Sequence, residues 1–367
     1  MSDLTLTIDQ LLAELVSRDA SDLHLKAGAP PKMRIRGELV SFPGLLLTPE
    51  LHNEMLMSIL NDERRQKLER NKEVDLSYNV EGAARFRVNM FWQRGHIGAV
   101  FRVIPFDIRS IDDLKMPQVC KRLALLPRGL ILVTGPTGSG KSTSLAAMID
   151  YINTNKKQHI ITVEDPIEYV HRDKTSIINQ RELGTDTHTF TDALKHVMRQ
   201  NPDVILVGEM RDLETISLAI TAAETGHLVF STLHTVDAAQ TIDRIVDVFA
   251  PEQQAQIRTQ LSVTLQAVVS QTLLPVKSGK GRVAAFEVMV ATPAIRTLIR
   301  EGKTHHMYMD IQTGGDLGMQ TLDGCLLNLL KEGKIDYEHA LAKSSNIQDF
   351  QRRALNLGLA EGLIATH

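Results

Sequence analysis

Apolar residues recur along this chain with two different periods, and the balance between them changes partway along. Ile8, Leu11, Leu12 and Leu15 fall on one helical face, so the spacing predicts an amphipathic helix over 4–18, with Asp9 among its polar positions. SDLHLKAGAPPKMRIRGELV then predicts short strands about an Ala-Gly-Ala-Pro-Pro turn. Thr48-Pro49 supplies an N-cap and a first-turn proline, and predicts one helix running through Leu51, Met55 and Ile59 to about Leu68. EVDLSYNV, ARFRVNMFWQ and HIGAVFRVIP alternate, with Glu81-Gly82 and Arg94-Gly95 between them, so they read as an antiparallel meander. Residues 1–104 therefore read as a small α+β domain.

The stretch 105–127, with three prolines and Asp112-Asp113, reads as a connection between domains. From Gly129 the pattern changes. GLILVTG, HIITVED, DVILVGE and HLVFST are short apolar runs separated by helical segments, the pattern of a parallel sheet covered on both faces. Residues 128–290 accordingly read as an α/β core. A long helix is predicted from Pro251 to Pro275, then a turn at SGKG, a strand RVAAFEVM and a helix capped by Thr292-Pro293. Residues 291–367 read as a helical C-terminal region, with the remainder from about Thr321 helical.

Composition narrows the class of function. The 367 residues are 43% hydrophobic and 23% charged, globular values with length enough for two domains. A net charge of −3 argues against a dedicated nucleic-acid coat or a strongly basic membrane binder. Cys120 and Cys325 stand far apart, which excludes a cysteine zinc site and a disulfide framework. The acidic N-terminus has no apolar signal-peptide core, and no apolar run approaches the ~20 residues of a membrane span. A membrane role is expected to come through partners.

The chemistry concentrates at strand ends. GPTGSGKS satisfies the phosphate-loop pattern between a predicted strand and helix. Within the loop Gly135, Pro136, Thr137, Gly138, Ser139 and Gly140, the glycines let backbone N–H groups turn toward phosphates, with Lys141 expected on the β- and γ-phosphates, Ser142 on Mg²⁺ and Thr143 following. DVILVGEMRD ends a second strand with Gly208 where an Asp is common, which leaves Glu209 as the carboxylate for the Mg²⁺ shell, or an ordinary surface glutamate. ITVEDPIEYVH brings Glu164, Asp165 and Glu168 to a third strand end, where Pro166 turns the chain. Glu168 is the first choice for orienting and deprotonating the attacking water, with Glu209 as competitor, and spacing does not choose between them. Transition-state charge calls for an arginine, worth about 10³–10⁵ in rate. The meander offers Arg85, Arg87, Arg94 and Arg102, and alternation puts Arg85 and Arg87 on one face opposite Phe86 and Val88. Each could equally be a solvated charge.

GPTGSGKST, TVEDPIEYVH, LVGEMRD and GHLVFSTLHT, in this order and spacing, resemble the Walker A, Asp-box, Walker B and His-box motifs of the secretion ATPase superfamily. Within it the chain is most similar to the PilT-type ATPases of type IV pilus retraction, also through SDLHL, RFRVN, RIVDVF and AIRTLIREGK, over essentially its whole length. The resemblance implies a PAS-like N-terminal domain, a RecA-like core and a homo-hexameric ring that binds ATP and Mg²⁺. It further implies Glu168 as catalytic glutamate, Glu209 as magnesium support, first-domain arginines (Arg85, Arg94, Arg102) near the phosphates, and His227 and His234 as the His-box pair. Ala294, Ile295 and Arg296 belong to a family segment needed for retraction, which departs here at Thr297, where the family has Asn. The implied setting is the cytoplasmic face of the inner membrane, with a pilus platform protein as partner and no direct nucleic acid. Assembly or secretion ATPases share this chemistry, but the four-cysteine insertion of those relatives is missing here. A non-catalytic regulatory partner of such a motor is the alternative of another class, and intact Lys141, Ser142, Glu168 and Glu209 speak against it.

The two histidines separate on strand direction. His234 leaves the C-terminal edge where the phosphate loop also emerges, and is expected to contact the γ-phosphate; His227 enters at the opposite end, with a positioning or interface role. Roughly 20 Å of extended strand between them rules out a metal pair.

Overall fold

The computed structural model describes residues 7–35, 37–42, 47–104, 107–279 and 281–360. The parts of the sequence reading that fall on Leu4–Leu6, Pro105, Phe106, Lys280 and 361–367 lie outside the described residues. The chain divides into two compact units, Met1–Asp107 with Glu168–Val170, and Ile108–Ile167 with His171–His367.

The first unit opens with helix α1 (Ile8–Ser17). Thr7 and Gln10 form a reciprocal capping box that satisfies two of the backbone N–H groups left unpaired at a helix start. Its buried stripe is the predicted one, Ile8, Leu11, Leu12 and Leu15. Strands β1 (Ala20–Lys26), β2 (Lys32–Ile35) and β3 (Glu38–Ser41) follow. The single helix expected after Thr48 is two helices, α2 (Pro49–Ser58) and α3 (Asp62–Asn71). The break has a local cause: the Asn61 side chain accepts from the Arg64 N–H at 2.9 Å and starts a new helix, with Asp62 and Glu63 in its first turn. The meander of β4 (Glu73–Val80), β5 (Ala84–Gln93) and β6 (His96–Ile104) is as read, with both turns in place. The antiparallel sheet runs β3-β2-β1-β6-β5-β4. One face buries Leu23, Phe86, Val88 and Phe101 against α1, each large side chain contributing roughly 1.5–3 kcal/mol.

The second unit begins within the stretch read as a connection. Ile111, Met116, Cys120 and Leu123 are buried in its core, the last two on α4 (Val119–Ala124). Then come β7 (Gly129–Thr134), α5 (Lys141–Asn155), β8 (His159–Glu164), β9 (Ile177–Glu182), α6 (Phe190–Val197), β10 (Val204–Val207), α7 (Leu213–Glu224), β11 (Leu228–Leu233), α8 (Ala238–Asp247) and α9 (Pro251–Thr264). The long helix expected to Pro275 stops at Thr264, and Leu265–Pro275 is an 11-residue strand, β12. Its residues are buried almost throughout, Ser270, Gln271 and Thr272 included, whereas α9 keeps a wide exposed face. A β-branched run enclosed on both sides favours an interior strand over another three turns of half-exposed helix.

β13 (Arg282–Val290) returns antiparallel beside β12, and the sheet order is β13-β12-β7-β11-β10-β8-β9. From β12 to β9 every pairing is parallel, so the C-terminal ends of six strands share one edge. Ligands bind at that edge in such sheets. Helices α10 (Pro293–Glu301), α11 (Met307–Thr313), α12 (Leu322–Lys331), α13 (Tyr337–Leu341) and α14 (Ile347–Asn356) complete the unit. The last three close a core of their own around Leu326, Leu327, Phe350 and Ala354. Buried Asp323 accepts from the Ser345 and Asn346 N–H groups at 2.7 and 3.2 Å, tying α12 to the start of α14.

Candidate active site

The phosphate loop joins the end of β7 to the start of α5. Gly135, Gly138 and Gly140 all have positive φ (140°, 78° and 91°), which L side chains resist. Gly135 is required on space as well, since a Cβ there would lie 2.2 Å from the Gln271 carbonyl oxygen on β12. Lys141, the first residue of α5, folds back over the loop. Its Nζ donates to the Gly135 and Pro136 carbonyls at 2.9 and 3.2 Å and stands 3.5 Å from His234 Nδ1.

His234 follows the end of β11 and is half-exposed. Its Nε2 is 2.8 Å from Glu209 Oε1, while Arg211 pairs with Glu209 Oε2 at 2.8 Å. A carboxylate only accepts and an ammonium only donates, so these neighbours select the Nε2–H tautomer. Lys141, His234, Glu209 and Arg211 thus form one connected chain from β7 across β11 to β10. Partial burial pushes the Glu209 carboxyl up, but Arg211 and His234 outweigh it and hold it below the ordinary carboxylate range. Gly208, standing where an Asp is common, is closely packed: a Cβ there would be 3.2 Å from the Val163 carbonyl and 3.3 Å from Glu164 Cα, a tight fit that a side chain would meet only with small shifts of β8. The carboxylate at this strand end is Glu209, one residue on. Beneath it, Ser231 Oγ donates to Val207 O and Thr232 Oγ to Gly208 O, at 2.8 and 2.6 Å. These two hydroxyls, which interrupt the apolar run of β11, hold β10 and β11 in register at the site.

Glu168 is exposed, in the connection from β8 to β9 that follows the cis Asp165–Pro166 bond. Two side chains of β9 fix that connection: Glu182 accepts from the Ile167 N–H at 3.2 Å, and Gln180 from the His171 N–H at 2.8 Å. Burial pushes the His171 imidazole down to about 4, which keeps it neutral beside this segment at physiological pH. Glu164 accepts from Thr162 and Gln180 at 2.6 and 3.1 Å and serves the strand ends.

His227 stands at the entry to β11, with Nδ1 2.9 Å from the Ala222 carbonyl near the end of α7. That contact ties the helix end to the strand. In the first unit, Arg102 pairs with buried Asp22 at 2.8 Å, and Arg85 donates to Ser77 at 2.8 Å. Arg94 occupies the β5–β6 turn with φ 48°, nine residues and roughly 30 Å of strand beyond Arg85. The fold therefore groups Arg85, Arg87 and Arg102 on neighbouring rungs and leaves Arg94 at the far tip. On α10, Ala294 is exposed and Ile295 fully buried. Arg296 donates to the Ser262 and Val263 carbonyls at 2.6 and 2.7 Å, capping the end of α9 where it turns into β12.

Three participants went unnoticed in the sequence. Arg211 lies within GEMRD, two residues beyond Glu209, a spacing that could have flagged it. Gln271 was hidden by the helical reading of its segment; its Nε2 donates to the Ser139 carbonyl at 2.7 Å. Glu287 on β13 carries no sequence signal. It accepts from the Ala238 N–H at 2.9 Å and so fixes α8 just past His234, and burial pushes its carboxyl up to about 7.

Beside the loop opens a cavity of about 800 Å³ with Ser139, Thr143 and Gln271 on one side and Leu273, Val283 and Phe286 on another. Its size is that of a small-molecule pocket, and its lining mixes apolar side chains with polar and charged ones, Arg109, Lys115 and Arg282 among them. Among the described residues no cluster of three or more His, Cys, Asp or Glu could cage a metal. The donor set does fit magnesium, which takes one or two protein oxygens and fills its shell with phosphates and water. Ser142 and Glu209 are the oxygens present.

Comparison with known proteins agrees with this geometry. The family model described as "Type II/IV secretion system protein" matches residues 2–326. The type IV pilus retraction ATPase PilT of Pseudomonas aeruginosa is 54% identical over 346 residues, covering 94% of this chain and 99% of that protein. The twitching motility protein of Neisseria gonorrhoeae is 50% identical over 316 residues, 86% of this chain and 84% of its own. A crystal structure of the pilus retraction motor PilT with bound ADP superposes with a TM-score of 0.89 at 49% identity, covering 95% of this chain and 99% of that one.

Proposed function

Because this chain belongs to the type II/IV secretion system protein family, in its PilT-type branch, we propose that it is the Mg²⁺-dependent ATP-hydrolysing motor of type IV pilus retraction. The observation that carries the proposal is the chain of contacts from Lys141 through His234 to Glu209 at the strand edge beside the phosphate loop. It puts a cation for the phosphates, a carboxylate for the metal and a histidine linking the two at one point.

In this reading the loop amides and the N-terminus of α5 receive the phosphates, and Lys141 leaves the Gly135 and Pro136 carbonyls for the β- and γ-phosphate oxygens. The 800 Å³ cavity takes the nucleoside. Ser142 and Glu209 would hold Mg²⁺, which neutralises developing phosphate charge when bound. Glu168 takes the proton of the attacking water. His234, already between Glu209 and Lys141, registers whether the γ-phosphate is present and passes the difference to α8. The transition-state charge requirement is assigned to arginines of the meander, Arg85, Arg94 and Arg102. The assembly is a homo-hexamer on the cytoplasmic face of the inner membrane, engaging the pilus platform protein. No described helix is long and apolar enough to cross a membrane.

Steady-state phosphate release by the purified protein tests the enzymatic half. Release is expected with ATP and Mg²⁺, to cease with EDTA and to return with added Mg²⁺. ATP turnover unaffected by EDTA would contradict the metal assignment, and no turnover under any condition would favour the non-catalytic reading.

A further inference from the structure

We infer that Gln271 is a positioning residue for ATP binding: from β12 it sets the direction in which the phosphate loop presents its backbone. The inference rests on the nucleotide-binding reading above. Its geometry lies wholly within the second unit.

β12 pairs in parallel with β7, and Ser270 stands opposite Thr134, the last residue before the loop; their hydroxyl oxygens are 2.8 Å apart and buried. The next residue, Gln271, is thereby delivered beneath the loop. It holds the loop at both ends. Its carbonyl oxygen occupies the space that any side chain at Gly135 would need. Its Nε2 donates to the Ser139 carbonyl at 2.7 Å, and a Cβ on Gly140 would lie 3.2 Å from the same nitrogen. The loop from Gly135 to Gly140 therefore closes around one residue.

The consequence follows from peptide planarity. In a trans peptide the C=O and the following N–H point in opposite directions. Anchoring the Ser139 carbonyl on Gln271 turns the Gly140 N–H away from β12, at the start of α5 where phosphates are received. Gly140 has φ 91° and no side chain of its own to fix that orientation.

The cost of the arrangement points the same way. Gln271 is 4% exposed and Ser139 3%, yet Gln271 Oε1 and Ser139 Oγ are buried without a hydrogen-bond partner among the described residues. A buried carboxamide with an unsatisfied oxygen destabilises the fold relative to an apolar side chain of the same shape. Packing alone would be served better by Met or Leu. The bond to Ser139 is what the carboxamide adds.

The test uses the full chain with two variants, Gln271→Met, which keeps volume without a donor, and Gln271→Ala, which removes the side chain. The probe is ADP, titrated alongside wild type, with steady-state ATP kinetics and thermal melting without nucleotide. The inference expects ADP affinity about tenfold weaker and KM for ATP raised similarly, with kcat changed less and the Gln271→Met melting temperature near wild type, because Met removes the unpaired Oε1 but leaves the Ser139 carbonyl without its donor. ADP affinity within about twofold of wild type in either variant would overturn it. So would an affinity loss that only tracks a lowered melting temperature in both. Failure of wild type itself to bind ADP would instead overturn the nucleotide-binding reading.

Discussion

Lys141→Ala is expected to abolish nucleotide binding and, with it, hydrolysis. The side chain is half-buried and donates to the Gly135 and Pro136 carbonyls while approaching His234. What is lost is the ammonium that meets two phosphate groups. Charge-assisted hydrogen bonds contribute roughly 1.5–3 kcal/mol each, and two of them correspond to an affinity loss on the order of 10²–10⁴. Titration with a slowly hydrolysed ATP analogue, which carries both phosphates, checks this, with a melting temperature near wild type in the absence of nucleotide. Wild-type affinity for that analogue in a folded Lys141→Ala protein would remove the phosphate loop from the account.

Glu168→Gln is expected to keep ATP binding and lose turnover by about 10²–10⁴, the usual worth of a positioned general base. Spacing left Glu168 and Glu209 in competition, and the structure supplies an argument for Glu168. Both oxygens of Glu209 are engaged, one by His234 and one by Arg211, and that pairing holds its carboxyl low. A carboxylate so committed is a poor proton acceptor and a good metal-shell anion. Glu168 is exposed, on a connection fixed on both sides by Glu182 and Gln180. ATP binding and steady-state phosphate release on the same preparation check the prediction; normal turnover by Glu168→Gln would return the base to Glu209.

How far the sequence carried depends on the range of the interaction that decides each element. Where local spacing decides, it was legible: the α1 stripe, the β4–β6 meander, the glycine pattern of the phosphate loop. Asn61 was a missed local signal, an N-cap inside an apolar period that otherwise runs on through Ile59. β12 was not locally legible. LQAVVSQTLL suits a buried helix or a buried strand, and only pairing with β7, more than 130 residues earlier, makes it a strand. Gln271 was lost with it, because its meaning lies in the register that sets it under Ser139. Gly208 and Glu209 show the same limit at the scale of one residue. The motif located the carboxylate, but only the approach of Val163 and Glu164 shows how little room the preceding position leaves for a side chain. The histidines were separable from strand direction alone, and the structure adds their partners, Glu209 and Lys141 for His234, the α7 end for His227.

The central claim is that hydrolysis at this site drives pilus withdrawal, and the direct measurement is surface pilin and twitching in the native host. Deleting the gene is expected to give hyperpiliated cells that do not twitch; restoring wild type should recover normal piliation and movement, and restoring Lys141→Ala should recover neither. Bald cells on deletion would make the motor one of assembly, and full recovery by Lys141→Ala would separate retraction from this nucleotide site altogether.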